Sequence, residues 1–149
     1  MIGIKVKVED NTKAVQKAAD KAGFRNLAHA AASLRKDARA SIQRAPAQQR
    51  TRAKSRGGHK VRRARHAASR PGTPPHTQRG QLPNAIVFDV APKSVVIGPR
   101  RSVVGESAGA HEFGGEFKGA DYPDRPFMGP ALERAAPRFA GSFAGSIGD

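Results

Sequence analysis

The run Lys13-Ala-Val-Gln-Lys-Ala-Ala-Asp-Lys-Ala-Gly-Phe-Arg-Asn-Leu-Ala-His-Ala-Ala-Ala-Ser-Leu-Arg-Lys-Asp-Ala-Arg-Ala-Ser-Ile-Gln-Arg44 decides the fold. Within it Val15, Ala19, Ala22, Leu27, Ala30, Ala31, Leu34, Ala38 and Ile42 recur at helical steps. This pattern predicts a long helix with one apolar face, ending near Arg44. Most of that face is alanine, so a sheet or a second helix can approach closely. Gly23 is its weak point, at a cost of about 1 kcal/mol relative to Ala, and a bend is expected there. Pro46 disfavours helix at Ala45 and stops the element.

Outward from the helix the period changes. Ile2, Ile4, Val6 and Val8 alternate with Gly3, Lys5 and Lys7, which predicts a half-buried strand. Glu9-Asp-Asn-Thr12 then supplies turn and N-cap chemistry. On the other side, Ala85-Ile-Val-Phe-Asp-Val90 and Ser94-Val-Val-Ile97 read as two strands joined tightly through Ala91-Pro-Lys93. Residues 99–125 are Gly-rich and read as irregular, with one short strand near Glu116–Ala120. Pro130 suits the first turn of a last helix, whose apolar stripe is Leu132, Ala136, Phe139, Phe143 and Ile147. Pro137 lies inside that stripe and is expected to kink or restart the helix. The sum is one α+β domain over residues 1–149: a small, mainly antiparallel sheet packed against a long N-terminal helix and a C-terminal helix.

Between helix and hairpin lies a long basic insert, residues 45–82, with no clear period. From Ala38 to Phe88 there is no acidic residue, and this stretch holds 12 of the 27 Lys and Arg. Arg50, Arg52, Lys54, Arg56, Lys60, Arg62, Arg63 and Arg65 form its densest part. The formal net charge is +15, yet from Ser102 onward there are four basic and seven acidic residues. Such polarity suits a subunit with a basic face for a polyanion and another face for its neighbours. The insert lacks the interleaved aromatics of single-strand binders and any helix-turn-helix or zinc-finger spacing. That argues against sequence-specific readout and leaves three readings open: a nonspecific phosphate contact, an acidic protein surface, or a solvated loop. A nonspecific nucleic-acid-binding protein of ribosomal or nucleoid-associated type fits the same charge.

Catalytic and cofactor chemistry finds little support. The chain has no cysteine, which removes disulfides, thiolate catalysis and Cys-ligated zinc. The N-terminal residues have no apolar h-region, so no signal peptide is expected, and with no 18-residue apolar run no membrane partner is expected either. Gly105-Glu-Ser-Ala-Gly109 matches the G-x-S-x-G pattern with His111 nearby, but that elbow needs a large parallel sheet which this length does not supply. His29, His59, His66, His76 and His111 form no metal-ligand spacing, and phosphate-cradling glycine loops are absent. Asp121 and Asp124 flank Pro123 and read as turn residues. No cofactor, metal or catalytic residue is expected, and the protein is not read as an enzyme. Aromatic content is only 5% with no Trp, so part of the stability is expected to come from association with other subunits.

Two stretches carry more than composition. One is Pro71-Gly-Thr-Pro-Pro-His-Thr-Gln-Arg-Gly-Gln-Leu82, in which Pro74, Pro75, His76, Gly80 and Leu82 stand out. The other is Ala110-His-Glu-Phe-Gly-Gly115 followed by Tyr122-Pro-Asp-Arg-Pro-Phe-Met-Gly-Pro-Ala-Leu132. It contributes His111, Glu112, Phe113, Gly114, Gly115, Arg125, Pro126, Phe127, Pro130 and Leu132. In series these resemble the head–tail joining, neck or tail-completion proteins of long-tailed bacteriophages, the group similar to the minor tail protein Z of phage lambda. Arg79 departs from the Thr common before the glycine, and Pro83 from the usual charged residue.

The resemblance implies a structural virion protein that assembles as a homo-oligomeric ring at the head–tail junction. Its expected partners there are the neighbouring phage connector and tail proteins. On charge grounds the basic insert is expected to meet packaged double-stranded DNA in the channel, with docking on an acidic partner ring as the alternative. Independently of the family, Phe113 beside Gly114-Gly115 is expected to pack where the backbone turns sharply. Arg125-Pro-Phe127 is expected to plant a second aromatic at the start of the last helix.

Overall fold

The computed structural model describes residues 11–46 and 68–144. The strand expected at residues 2–8, the densest part of the insert (Arg50, Arg52, Lys54, Arg56, Lys60, Arg62, Arg63, Arg65) and Ile147 lie outside the described residues. The rest forms an α+β fold. Helix α1 runs unbroken from Thr12 to Ser41, so Gly23 does not interrupt it. Ile42 turns to extended backbone, and its N–H donates to the Arg39 carbonyl.

The chain beyond α1 is tied to the re-entry segment. Thr77 N–H donates to Gln43 O at 2.9 Å, and Ala45 N–H donates to Thr77 O at 3.1 Å. The insert therefore leaves and returns at one point, closed by backbone hydrogen bonds. Its C-terminal part is packed: Pro75 is fully buried, and Ser69 and Thr77 are buried. A short helix α2 (Gln81–Ala85) closes the insert, and the strand expected from Ala85 begins one residue later, at Ile86.

Strands β1 (Ile86–Ala91) and β2 (Ser94–Pro99) make the expected antiparallel hairpin, with Phe88 opposite Ile97 and Val90 opposite Val95. Residues 99–125 are not irregular. They hold α3 (Arg101–Val104), α4 (Ser107–Phe113) and a second hairpin of β3 (Gly115–Phe117) and β4 (Ala120–Tyr122). Lys118 and Gly119 both have positive φ, 54° and 73°, the backbone a two-residue hairpin turn demands. One hairpin thus stands where a single strand was expected, and the described strands form two separate two-stranded sheets.

Helix α5 runs from Met128 to Ala144 and continues through Pro137. Pro137 has no N–H, so the Glu133 carbonyl loses its helical partner; Glu133 and Pro137 are both exposed, where water can serve instead. Pro130 is the third residue of α5, not the first.

The core lies between α1, α5 and the first hairpin. Leu34, Ala38, Ile42, Ile86, Phe127, Ala131 and Ala135 form it, with Leu82, Ile97, Met128 and Phe139 packed against its edge. Alanines facing each other across α1 and α5 let the helices approach closely, and Phe127, at 1% exposure, is the largest buried side chain. The α5 stripe is therefore Phe127, Ala131, Ala135 and Phe139. Leu132 is 48% exposed and Ala136 is exposed, because each sits one residue, about 100°, past the buried line.

The apolar face of α1 is likewise not continuous. The five-residue step from Ala22 to Leu27 rotates the stripe by about 140°. Burial begins only at Ala30, and Val15 is 61% exposed. Among the described residues no helix is long and apolar enough to cross a membrane.

Candidate functional site

The two sequence stretches singled out above come together at the start of α5. A helix leaves its first N–H groups without intrahelical partners, and no Ser, Thr, Asp or Asn stands at this N-terminus to cap it. Glu112, at the end of α4, reaches across instead. Its Oε2 accepts from Phe127 N (2.9 Å) and Met128 N (3.0 Å), and its Oε1 accepts from Gly129 N (2.7 Å). The next residue, Pro130, has no N–H to satisfy. All the orphan donors of the first turn are thereby accounted for, and a carboxylate sits where the helix dipole favours negative charge. Gly129 keeps the room for it: a Cβ there would stand 3.2 Å from Glu112 Oε1.

Three further bonds close the unit. Arg125 N–H donates to His111 O at 2.6 Å, and Gly72 N–H donates to Asp124 O at 2.9 Å. Arg125 Nε donates to Ser69 O at 3.1 Å. Gly114 is the hinge that permits the approach. Its φ is +69°, and a Cβ would meet Asp124 N at 3.0 Å and Tyr122 O at 3.1 Å.

The remaining motif residues fall in place around this unit. Pro74 and His76 are half-buried, Gly80 donates its N–H to Thr77 Oγ1 at 2.9 Å, and Leu82 touches the core. Pro126 is half-buried and Gly115 exposed. Phe127 is planted in the core as expected. Phe113 is not packed, contrary to expectation: it is 85% exposed, because Gly114 turns the chain so that Glu112, not Phe113, faces α5.

Beside the cap lies an open cleft of about 460 Å³, lined by His76, Thr77, Arg79, Leu82, Ser107 and His111 among others. The Ser107 hydroxyl donates to Val104 O at 2.6 Å. It opens helix α4 and makes no nucleophile–base pair with either histidine among the described residues. His111 is half-buried, and its Nδ1 has no hydrogen-bond partner. Burial pushes its pKa below the ordinary 6.5, and the Arg125 guanidinium adds to the effect. No group of three or more metal-ligating side chains occurs among the described residues. The ion pairs Arg138–Asp37, between α5 and α1, and Arg101–Glu106, at α3, were not foreseen. Nor were Arg35 Nε to Ile86 O (2.9 Å) and Arg39 to Asn84 Oδ1 (2.9 Å), which tie α1 to β1 and to α2 respectively.

No family model matches the chain, and comparison with curated proteins and with solved structures finds no match either.

Two outcomes follow from the cap and its neighbour. Glu112→Ala strips three backbone N–H groups of their acceptor and should cost about 2 kcal/mol by denaturant unfolding; Glu112→Gln, which keeps one acceptor oxygen, should cost about half that. The His111 pKa is depressed in the folded state, so the unfolded chain binds its proton more readily. The stability this contributes is present above pH 6.5 and is lost as pH falls through that value toward the lower folded pKa. The urea midpoint should therefore drop between pH 7.5 and 5.5 by more in the native protein than in His111→Gln.

Proposed function

We propose that this protein is a structural virion component of a tailed bacteriophage, a subunit that assembles into a ring at the head–tail junction. The observation that carries the reading is the meeting of the two motif stretches in one hydrogen-bonded unit at the start of α5. They lie on both sides of 27 intervening residues, 83–109, and act together as a device that aims α5 along α1. A shared structural job explains why such residues occur in series without forming a reactive centre. The same residues carry the resemblance to neck and tail-completion proteins.

The division between core and surface supports association. Much of the interior is alanine, while Val15, Phe24, Val96, Val103, Phe113, Leu132 and Phe143 are exposed. A subunit of this kind gains stability by covering those side chains with neighbouring copies. A ring requires heterologous contacts that close. The acid-free insert supplies charge for a contact with packaged DNA, and the opposite charge of the C-terminal third keeps a second face for protein neighbours.

The purified chain should run as a closed ring of many copies by light scattering and negative-stain microscopy. Phage particles assembled without it should accumulate as free heads beside complete tails. A monodisperse monomer that binds RNA tightly and salt-dependently would favour the nucleic-acid-binding alternative.

A further inference from the structure

We propose that the first half of α1 is the docking surface for the α4–β3–β4 end of the next copy, which resolves the ring contact into two named surfaces. This rests on the ring reading of the previous subsection.

The first surface is a stretch of helix without a seat. From Thr12 to His29 no residue is buried, a length of about 27 Å. Most helical stability in a folded protein comes from packing one face against other elements, and this segment has no buried residue to supply it. Lys13, Lys17, Lys21 and Arg25 follow one another at four-residue steps. All four are exposed and make no ion pair among the described residues. Like charges at that spacing repel, and Asp20 is the one acidic residue among these positions, so the row stays net positive. Beside Lys17 and Lys21 on the helix surface lie Ala14 and Ala18, one turn apart and both exposed.

The second surface has the opposite character. Glu116 and Asp121 are direct cross-strand partners in the β3–β4 hairpin. Both are exposed, on the side away from the Phe117–Tyr122 edge-to-face pair, whose centroids are 5.8 Å apart. Like charges directly opposite destabilise a hairpin, so this one is built against its own preference. Phe113 stands at the same end. Its backbone is fixed by the residues beside it, since Glu112 holds α5 and Gly114 packs against Tyr122 and Asp124. An aromatic that is rigid and exposed is the usual anchor of a protein contact.

The two surfaces match in charge and in the spacing of their charged groups. Opposed carboxylates on a hairpin lie about 5 Å apart, and lysines one helical turn apart about 6 Å. Glu116 and Asp121 therefore span Lys17 and Lys21, while Phe113 seats on Ala14 and Ala18 beside them. Neither set pairs with the other within the chain, and the two belong to different elements. The contact is thus heterologous, as ring closure needs. A polyanion on the lysine row alone would leave Phe113 and the Glu116–Asp121 pair unexplained.

Charge reversal tests this on the full chain, with assembly read by light scattering and folding by circular dichroism. K17E/K21E alone and E116K/D121K alone should each shift the assembly midpoint to at least tenfold higher concentration. All four residues are exposed, so both variants stay folded. F113S should do the same. Combining the four reversals in one chain, or mixing the two double variants, should restore particles of native size. Native-like assembly of E116K/D121K, or no rescue in the combined chain, overturns the contact. Loss of duplex DNA binding by K17E/K21E with unchanged assembly overturns it in favour of a nucleic-acid surface. If the unmodified chain is itself a monomer, the ring reading falls, and the contact with it.

Discussion

The carboxylate of Glu112 at the start of α5 is the constraint on which the remaining geometry depends. Three backbone N–H groups converge on it, and a proline follows where a fourth would need a partner. Because the acceptor comes from another helix, the cap joins two elements instead of merely ending one. It fixes where α5 begins and therefore which of its residues face α1. Phe127 enters the core, Ala131 and Ala135 meet the alanines of α1, and Leu132 is left outside. Gly114 and Gly129 are the spaces the arrangement requires. Arg125 carries the link onward to the re-entry segment through Ser69.

The interior that results is narrow. Small side chains bring α1, α5 and the first hairpin close together, but they bury little area each, and hydrophobic stabilisation scales with that area. Larger apolar residues lie on the surface, and half of α1 extends past the packed region. On the proposed ring, association would complete this burial. The same proposal accounts for the exposed groups that differ in kind between the two ends: cations and small residues along α1, carboxylates and an aromatic at the second hairpin.

Sequence alone made the local parts of this fold legible. Alternation and a two-residue turn place the first hairpin, and alanine periodicity places α1. Arg125-Pro-Phe127 places a buried aromatic at the head of the last helix. What escaped depends on distance or on accumulated rotation. The cap lies 15 to 17 residues from the N–H groups it serves, so no local capping signature exists; the clue was the lack of any capping residue before Pro130. The apolar stripe of α1 looks continuous when steps are counted, but the jump from Ala22 to Leu27 turns it to another side. The same one-residue phase error placed Leu132 and Ala136 inside when Ala131 and Ala135 are the buried pair. In residues 99–125 glycine content suggested irregular chain, whereas Gly105, Gly114 and Gly119 punctuate short regular pieces. Phe113 was expected inside because aromatics usually are; the left-handed turn at Gly114 sends its neighbour inward in its place.

Amide hydrogen exchange on the native protein tests the central claim most directly. If the Glu112 carboxylate holds the first turn of α5, the Phe127, Met128 and Gly129 amides should exchange far more slowly than the free chain, and Glu112→Ala should release all three together. Exchange at free-chain rates in the native protein would contradict it, since uncapped first-turn amides have no other acceptor in this fold.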